Sequence, residues 1–106
     1  MHIVKNIKKQ IQENPILLYM KGTPDKPSCG YSARAVEALS LCDVKFAYVN
    51  ILENEEIRTA LPKYANWPTF PQLWVQGELI GGCDIIVKLF ESGDLKKILQ
   101  QCIKVK

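Results

Sequence analysis

A continuously apolar run of five residues, Ile16 to Met20, constrains the fold of this chain more than any other feature. The run is far shorter than the ~20 residues that a membrane-spanning helix needs. A short apolar run without polar alternation is typical of a strand that is buried on both faces. Such a strand belongs inside a sheet that helices cover on both sides.

The rest of the pattern supplies those helices. Predicted helices cover residues 3–11, 29–41, 53–64, 84–91 and 95–103, and predicted strands cover 16–20, 45–50, 72–75 and 78–80. The first helix is expected to end near Asn14–Pro15, and Ser28 and Asp84 are the expected N-caps of the second and fourth helices. Strand, helix and strand in this order form a right-handed βαβ unit, and the Gln76–Gly77 turn joins an antiparallel hairpin. We therefore expect an α/β fold with a four-stranded mixed sheet flanked by about five helices.

Length and composition place the chain among ordinary globular proteins. The 106 residues are 47% hydrophobic and 24% charged, so we expect one domain over residues 1–106. The net charge of +3 includes no block of five or six like charges, which argues against a nucleic-acid-binding protein. With neither a membrane span nor a signal peptide in the pattern, we expect a soluble cytoplasmic protein.

The four cysteines are dispersed. Cys29, Cys42, Cys83 and Cys102 form neither a C-x-x-C pair nor a zinc-ligand spacing, so each is considered by itself. We expect Cys42 and Cys102 to be structural, since cysteine is often a small buried hydrophobe, and the sequence assigns Cys102 no further role.

Cys29 differs from the others in its position. It follows a loop and begins a predicted helix, where unpaired N–H groups and the helix dipole stabilise a thiolate. Lys21 and Lys26 in the preceding loop add positive charge. On position alone, a reactive or metal-binding thiol and a small core cysteine are about equally favoured.

Two further segments favour the reactive interpretation. The segment 67–71 has two prolines just before a strand. A cis bond before Pro71 lets residues 69 and 70 present backbone groups to an extended peptide, whereas a rigid trans turn is the alternative. The segment 81–84, Gly-Gly-Cys-Asp, offers exposed backbone and a carboxylate at a helix start, or else forms a plain strand-to-helix turn.

Four segments taken together resemble the monothiol glutaredoxins of the C-G-F-S class, which have a thioredoxin-like fold. They are Met-Lys-Gly-Thr-Pro at 20–24, Cys-Gly-Tyr-Ser at 29–32, Trp-Pro-Thr-Phe-Pro-Gln at 67–72 and Gly-Gly-Cys-Asp at 81–84. Their spacing matches that family, and the resemblance covers nearly the whole chain. Tyr31 stands where the family usually has Phe, and we expect this change only to tune the site.

The resemblance implies a role for each matching residue. Cys29 is expected to be the active-site thiol and a ligand of an iron–sulfur cluster. Lys21 and Arg58 are expected to hold the glycine carboxylate of glutathione. These assignments suit the ligand, because two cations complement a carboxylate.

The remaining implied contacts involve the rest of the tripeptide. Thr69 and Phe70, before a cis Pro71, are expected to pair with the cysteinyl backbone of glutathione. Cys83 and Asp84 are expected to receive its γ-glutamyl end through backbone N–H groups and the Asp84 carboxylate.

Ser32 stands where a dithiol enzyme has its resolving cysteine. A hydroxyl is too weak an acid to supply the attacking anion, which excludes the two-thiol route of disulfide reduction. One thiolate is also too few for an iron–sulfur cluster, which generally takes four sulfur ligands. The resemblance implies that two Cys29 thiolates and two glutathiones hold a labile [2Fe-2S] cluster that bridges a homodimer.

Three hypotheses follow. The leading one is a carrier in iron–sulfur cluster biogenesis and storage, which receives clusters from scaffolds and delivers them to apo-proteins. It also pairs with a BolA-like protein, and catalysis is not its main role. The second is an enzyme, a glutathione-dependent oxidoreductase that acts on glutathionylated proteins through Cys29 alone. The third is a thioredoxin-fold interaction module without a ligand.

Overall fold

A computed structural model of the chain describes residues 3–104. In chain order the elements are α1 (Ile3–Glu13), β1 (Ile16–Met20), α2 (Gly30–Leu41), β2 (Ala47–Asn50), α3 (Glu55–Ala65), β3 (Gln72–Val75), β4 (Glu78–Gly81), α4 (Cys83–Ser92) and α5 (Asp94–Lys104). Within residues 3–104, none of the helices combines the length and the apolar character that crossing a membrane requires.

The four strands form one mixed sheet in the order β2–β1–β3–β4. β1 runs parallel to β2, with Met20 opposite Asn50, and antiparallel to β3, with Ile16 opposite Val75. β3 and β4 form the antiparallel hairpin. The predicted α/β architecture is therefore confirmed.

Hydrophobic cores lie on both faces of the sheet because successive side chains of a strand point to opposite faces. Leu18 and Met20 of β1 pack in a cluster with buried residues of α2, α4 and α5. Leu17 and Tyr19 pack on the other face with buried residues of α1 and α3. This burial on two sides explains why the run at 16–20 contains no polar residue.

The strand directions decide which connections meet. Parallel β1 and β2 end at the same edge of the sheet, and antiparallel β3 begins there. The connections that follow Met20 and Asn50 therefore lie beside the segment before Gln72. The Gln76–Gly77 turn lies at the opposite edge, where the Gln76 N–H donates to the carbonyl of Pro15 at 2.7 Å.

The starts of several elements differ from the sequence prediction. Cys29, not Ser28, is the N-cap of α2, and Gly82, not Asp84, is the N-cap of α4. β2 begins at Ala47 rather than at residue 45, and α3 begins at Glu55 rather than at 53. The two ends of the predicted domain, residues 1–2 and 105–106, lie outside the described residues.

Candidate functional site

A cleft of about 750 Å³ lies at the edge where the three connections meet. Its walls contain six of the residues that the sequence predicted to bind glutathione, namely Lys21, Arg58, Thr69, Phe70, Cys83 and Asp84. They come from four separate parts of the chain. The fold thus gathers into one place residues that only the resemblance had connected.

Cys29 caps α2 next to this cleft, in extended backbone conformation with φ −151° and ψ 157°. Its Sγ accepts a hydrogen bond from the Ser32 N–H at 3.3 Å and lies 3.3 Å from Ser32 Oγ. Ser32 is fully buried, and its Oγ also accepts the Lys21 N–H at 3.1 Å. The sulfur is therefore fixed by the first turn of its own helix.

This environment favours the thiolate. Burial by itself raises the pKa of Cys29, but the hydroxyl and N–H of Ser32, the N–H of Tyr31 and the charge of Lys21 outweigh it, so the pKa is lowered. Of the two lysines that the sequence placed near this thiol, Lys21 is the one whose charge acts on it. A partly exposed thiol with a lowered pKa is chemically a nucleophile and a metal ligand.

The loop that carries Lys21 is closed by its own backbone. The Ser28 N–H donates to the Lys21 carbonyl at 2.9 Å, and Thr23 and Lys26 exchange backbone hydrogen bonds. Gly22 has φ +94°, and a Cβ there would lie 2.6 Å from the Lys26 carbonyl oxygen. Only glycine fits this position, because any side chain would collide with the loop.

The peptide bond before Pro71 is cis, as the resemblance implied. Gln72 fixes the segment 67–71 by hydrogen bonds. It is fully buried, and its Nε2 donates to the carbonyls of Trp67 at 3.0 Å and Thr69 at 3.3 Å. Pro71 itself is buried, whereas Thr69 and Phe70 line the cleft. The segment therefore presents residues 69 and 70 to whatever occupies the cleft.

The start of α4 forms another wall. A Cβ on Gly82 would approach the Pro71 carbonyl oxygen to 3.2 Å and Trp67 Nε1 to 3.4 Å, so glycine permits the close packing of these two segments. Cys83 and Asp84 are in the first turn, where backbone N–H groups have no partner within the helix. The carboxylate of Asp84 is exposed beside them. This wall offers N–H donors and one negative charge.

The other three cysteines differ from Cys29. Burial raises the pKa values of Cys83, Cys42 and Cys102, and the charge of Cys29 contributes to the rise at Cys83. Cys42 is 1% exposed, as expected for a packed residue. The Cys102 thiol is half-buried and lies 3.7 Å from the Ile98 carbonyl.

The described residues contain no group of three or more His, Cys, Asp or Glu side chains that could hold a metal ion. Within residues 3–104, Cys29 is therefore not part of a cluster of three or more such side chains.

Tyr31 and Trp67, which belong to two of the four segments that carry the resemblance, also line the cleft, and Tyr31 is 61% exposed. Sequence reasoning missed Ile85, which lines the cleft as well. Asn50 was also missed, although it bonds to the loop that carries Lys21. A polar residue at the end of a strand that is parallel to β1 was the available signal, because parallel strands end at the same edge.

Comparisons with known proteins agree with this geometry. The glutaredoxin family matches residues 16–80. Glutaredoxin 4 of Buchnera aphidicola subsp. Acyrthosiphon pisum is 68% identical over 106 residues, which cover 100% of this chain and 95% of that protein.

Solved structures agree as well. The solution structure of reduced apo GrxS14 from poplar is 42% identical in sequence, with a TM-score of 0.81, and the match covers 95% of this chain and 93% of the poplar chain. The crystal structure of a buckwheat glutaredoxin in complex with glutathione is 21% identical, with a TM-score of 0.82, and the match covers 97% of this chain and 92% of the buckwheat chain. The fold is thus thioredoxin-like, as predicted.

Proposed function

The chain belongs to the glutaredoxin family, and from that premise we propose that it binds glutathione and carries a labile [2Fe-2S] cluster between two subunits. Its role is then the biogenesis, storage and transfer of such clusters to apo-proteins. The observation that carries the proposal is the convergence of six glutathione-binding candidates on one cleft beside Cys29. Ser32 in place of a second thiol leaves Cys29 as the single thiol of the Cys-Gly-Tyr-Ser motif.

The cleft complements glutathione chemically. The tripeptide has two carboxylates and one ammonium group, and Lys21 and Arg58 line the cleft as cations for its glycine carboxylate. The first turn of α4 offers N–H donors to the γ-glutamyl carboxylate, and Asp84 offers a negative charge to the ammonium group. The volume of about 750 Å³ is in the range of small-molecule sites. A related fold, the buckwheat glutaredoxin, was solved with glutathione bound.

The cluster is cargo in this proposal. Cys29 supplies one thiolate per chain, so two chains and two bound glutathiones supply the four sulfur ligands that a cluster needs. Half of those ligands exchange with the surrounding solution, which suits release to an acceptor. The partners that follow are a second copy of the chain, an assembly scaffold, apo-proteins and a BolA-like protein.

The lowered pKa of Cys29 also favours a second candidate function, a glutathione-dependent oxidoreductase. The Cys29 thiolate attacks the glutathione sulfur of a glutathionylated protein and releases the protein thiolate. The thiolate of a second glutathione then attacks the mixed disulfide, which releases glutathione disulfide and regenerates Cys29. Each exchange breaks one S–S bond and forms one, and neither needs a second protein thiol.

Anaerobic reconstitution with iron, sulfide and glutathione, followed by visible absorption and size-exclusion chromatography, distinguishes the two functions. We expect a coloured dimer that reverts to a colourless monomer when glutathione is withdrawn. Cys29→Ala should abolish the colour and the dimer, whereas the matched variant Cys42→Ala should retain both. A colourless wild-type monomer with a free reactive thiol contradicts the carrier proposal and favours the oxidoreductase.

A further inference from the structure

Asn50, the last residue of β2, is half-buried and accepts hydrogen bonds from two neighbouring connections. Its Oδ1 accepts the N–H of Gly22 at 2.9 Å and the N–H of Leu52 at 3.0 Å. Its backbone carbonyl accepts the side-chain amide of Asn54 at 2.9 Å. One residue therefore bonds to the connection after β1 and to the connection that leads into α3.

The first of these contacts fixes the position of Lys21. The consecutive N–H groups of Lys21 and Gly22 both donate to side chains, at 3.1 Å to Ser32 Oγ and at 2.9 Å to Asn50 Oδ1. Gly22 is buried, so loss of the Asn50 acceptor would leave its N–H without a readily available water partner. The backbone that carries Lys21 is thus held from two sides.

The second contact fixes the start of α3, which carries Arg58. Asn54 is the N-cap of α3, but its side chain makes no capping hydrogen bond and donates to the Asn50 carbonyl instead. The Asn54 carbonyl accepts the N–H of Arg58 at 2.9 Å. This path starts at the main-chain carbonyl of residue 50, which Asn50→Ala retains. The side chain links the two connections through Oδ1 alone, because that oxygen accepts both the Gly22 N–H and the Leu52 N–H.

Lys21 and Arg58 line the same cleft although they belong to different elements. The positions of the two cations relative to each other therefore depend on the backbone segments that carry them. We propose that Asn50 is a positioning residue, which fixes the separation of Lys21 and Arg58 and thereby the recognition of a ligand carboxylate. The inference rests on the proposed binding of glutathione and identifies what makes its carboxylate end specific.

The test compares glutathione with its glycyl ethyl ester, which lacks the carboxylate that the two cations are proposed to hold. Affinities are measured by titration calorimetry on the full chain. We expect Asn50→Ala to weaken glutathione binding by about tenfold, whereas binding of the ester changes by less than about twofold. The matched control Asn6→Ala, an exposed substitution on α1, should leave both affinities unchanged. An Asn50→Ala variant that retains the preference of the wild type, or that loses both ligands equally, overturns the proposal.

Amide hydrogen exchange gives a readout that does not need a ligand. The Gly22 and Leu52 amides should exchange faster in Asn50→Ala and at the wild-type rate in Asn50→Asp, which retains an acceptor oxygen. Unchanged exchange in Asn50→Ala overturns the proposal. If Asn50→Ala does not fold, Asn54→Ala replaces it and should reduce the preference for glutathione in the same direction; an unchanged preference there counts against the proposal.

Failure of the proposed function has a different signature. A wild-type chain that binds glutathione no better than the ester shows that Lys21 and Arg58 do not hold the glycine carboxylate. A wild-type preference that persists in the variants shows instead that Asn50 does not position the two cations.

Discussion

Cys29 and Cys42 occupy opposite ends of α2, and their chemistry differs accordingly. Cys29 is the N-cap, where the helix dipole and unpaired N–H groups favour an anion, and its pKa is lowered. Cys42 is the C-cap, is 1% exposed, and has its pKa raised by burial although the charge of Lys96 opposes the rise. The two thiols of one helix thus have pKa values shifted in opposite directions, by hydrogen bonds and the charge of Lys21 at Cys29 and by burial at Cys42.

The largest expected difference between the two ends is in their alkylation. Iodoacetamide at neutral pH should modify Cys29 faster than Cys42 by on the order of a hundredfold, because Cys29 is more thiolate and Cys42 reacts only after local opening. Mass spectrometry of digested samples at increasing times resolves the two rates. Similar rates would show that α2 does not protect its C-terminal end.

A smaller effect should follow when the hydroxyl beside Cys29 is removed. Ser32→Ala eliminates the hydroxyl that lies 3.3 Å from the sulfur, so the pKa of Cys29 should rise. Its alkylation at neutral pH should then slow by about threefold. The matched substitution Ser40→Ala, exposed near the other end of α2, should change neither thiol. Equal effects of the two variants would mean that the hydroxyl does not stabilise the thiolate.

The smallest expected effect is the pH dependence of stability, and its sign differs between the two thiols. A lowered folded-state pKa means that Cys29 stabilises the native state above the ordinary thiol value of 9.0, and that this contribution is lost as pH falls through the folded-state pKa. The raised pKa of Cys42 means that its contribution is present below 9.0 and is lost as pH rises through its folded-state pKa.

Urea unfolding of reduced protein on both sides of pH 9.0 tests this contrast. The difference in unfolding free energy between wild type and Cys29→Ala should increase with pH. The difference between wild type and Cys42→Ala should decrease. Slopes of the same sign would remove the contrast between the two ends of the helix.

Most of the fold was predictable because its hydrophobic patterns are unambiguous. The apolar run of β1 and the four-residue spacing of isoleucines in α1 depend on burial alone, and the starts of both elements were predicted correctly. The N-caps of α2 and α4 were predicted wrongly. Side-chain preference favours Ser28 and Asp84 as caps, whereas the actual cap is set by where the backbone turns from extended to helical.

Most of the cleft-lining residues that the resemblance named lie in its four segments, and Arg58 is the exception. Cys29, Thr69 and Phe70 lie in segments whose residues are adjacent in the sequence. Asn50 does not, because its contact with Gly22 depends on the register that places Asn50 opposite Met20. A polar residue at the end of a strand parallel to β1 marks the position in the sequence, but the partner of its side chain is apparent only from the register of the folded chain.

The Gln76–Gly77 turn has a practical consequence for protein engineering. It is exposed, both residues have positive φ, and it lies at the sheet edge opposite the cleft. Exposed hairpin tips tolerate inserted sequence better than other sites do. A fluorescent reporter or affinity tag introduced there therefore points away from the thiol, so that reactions at Cys29 can be followed without an attachment near the mouth of the cleft.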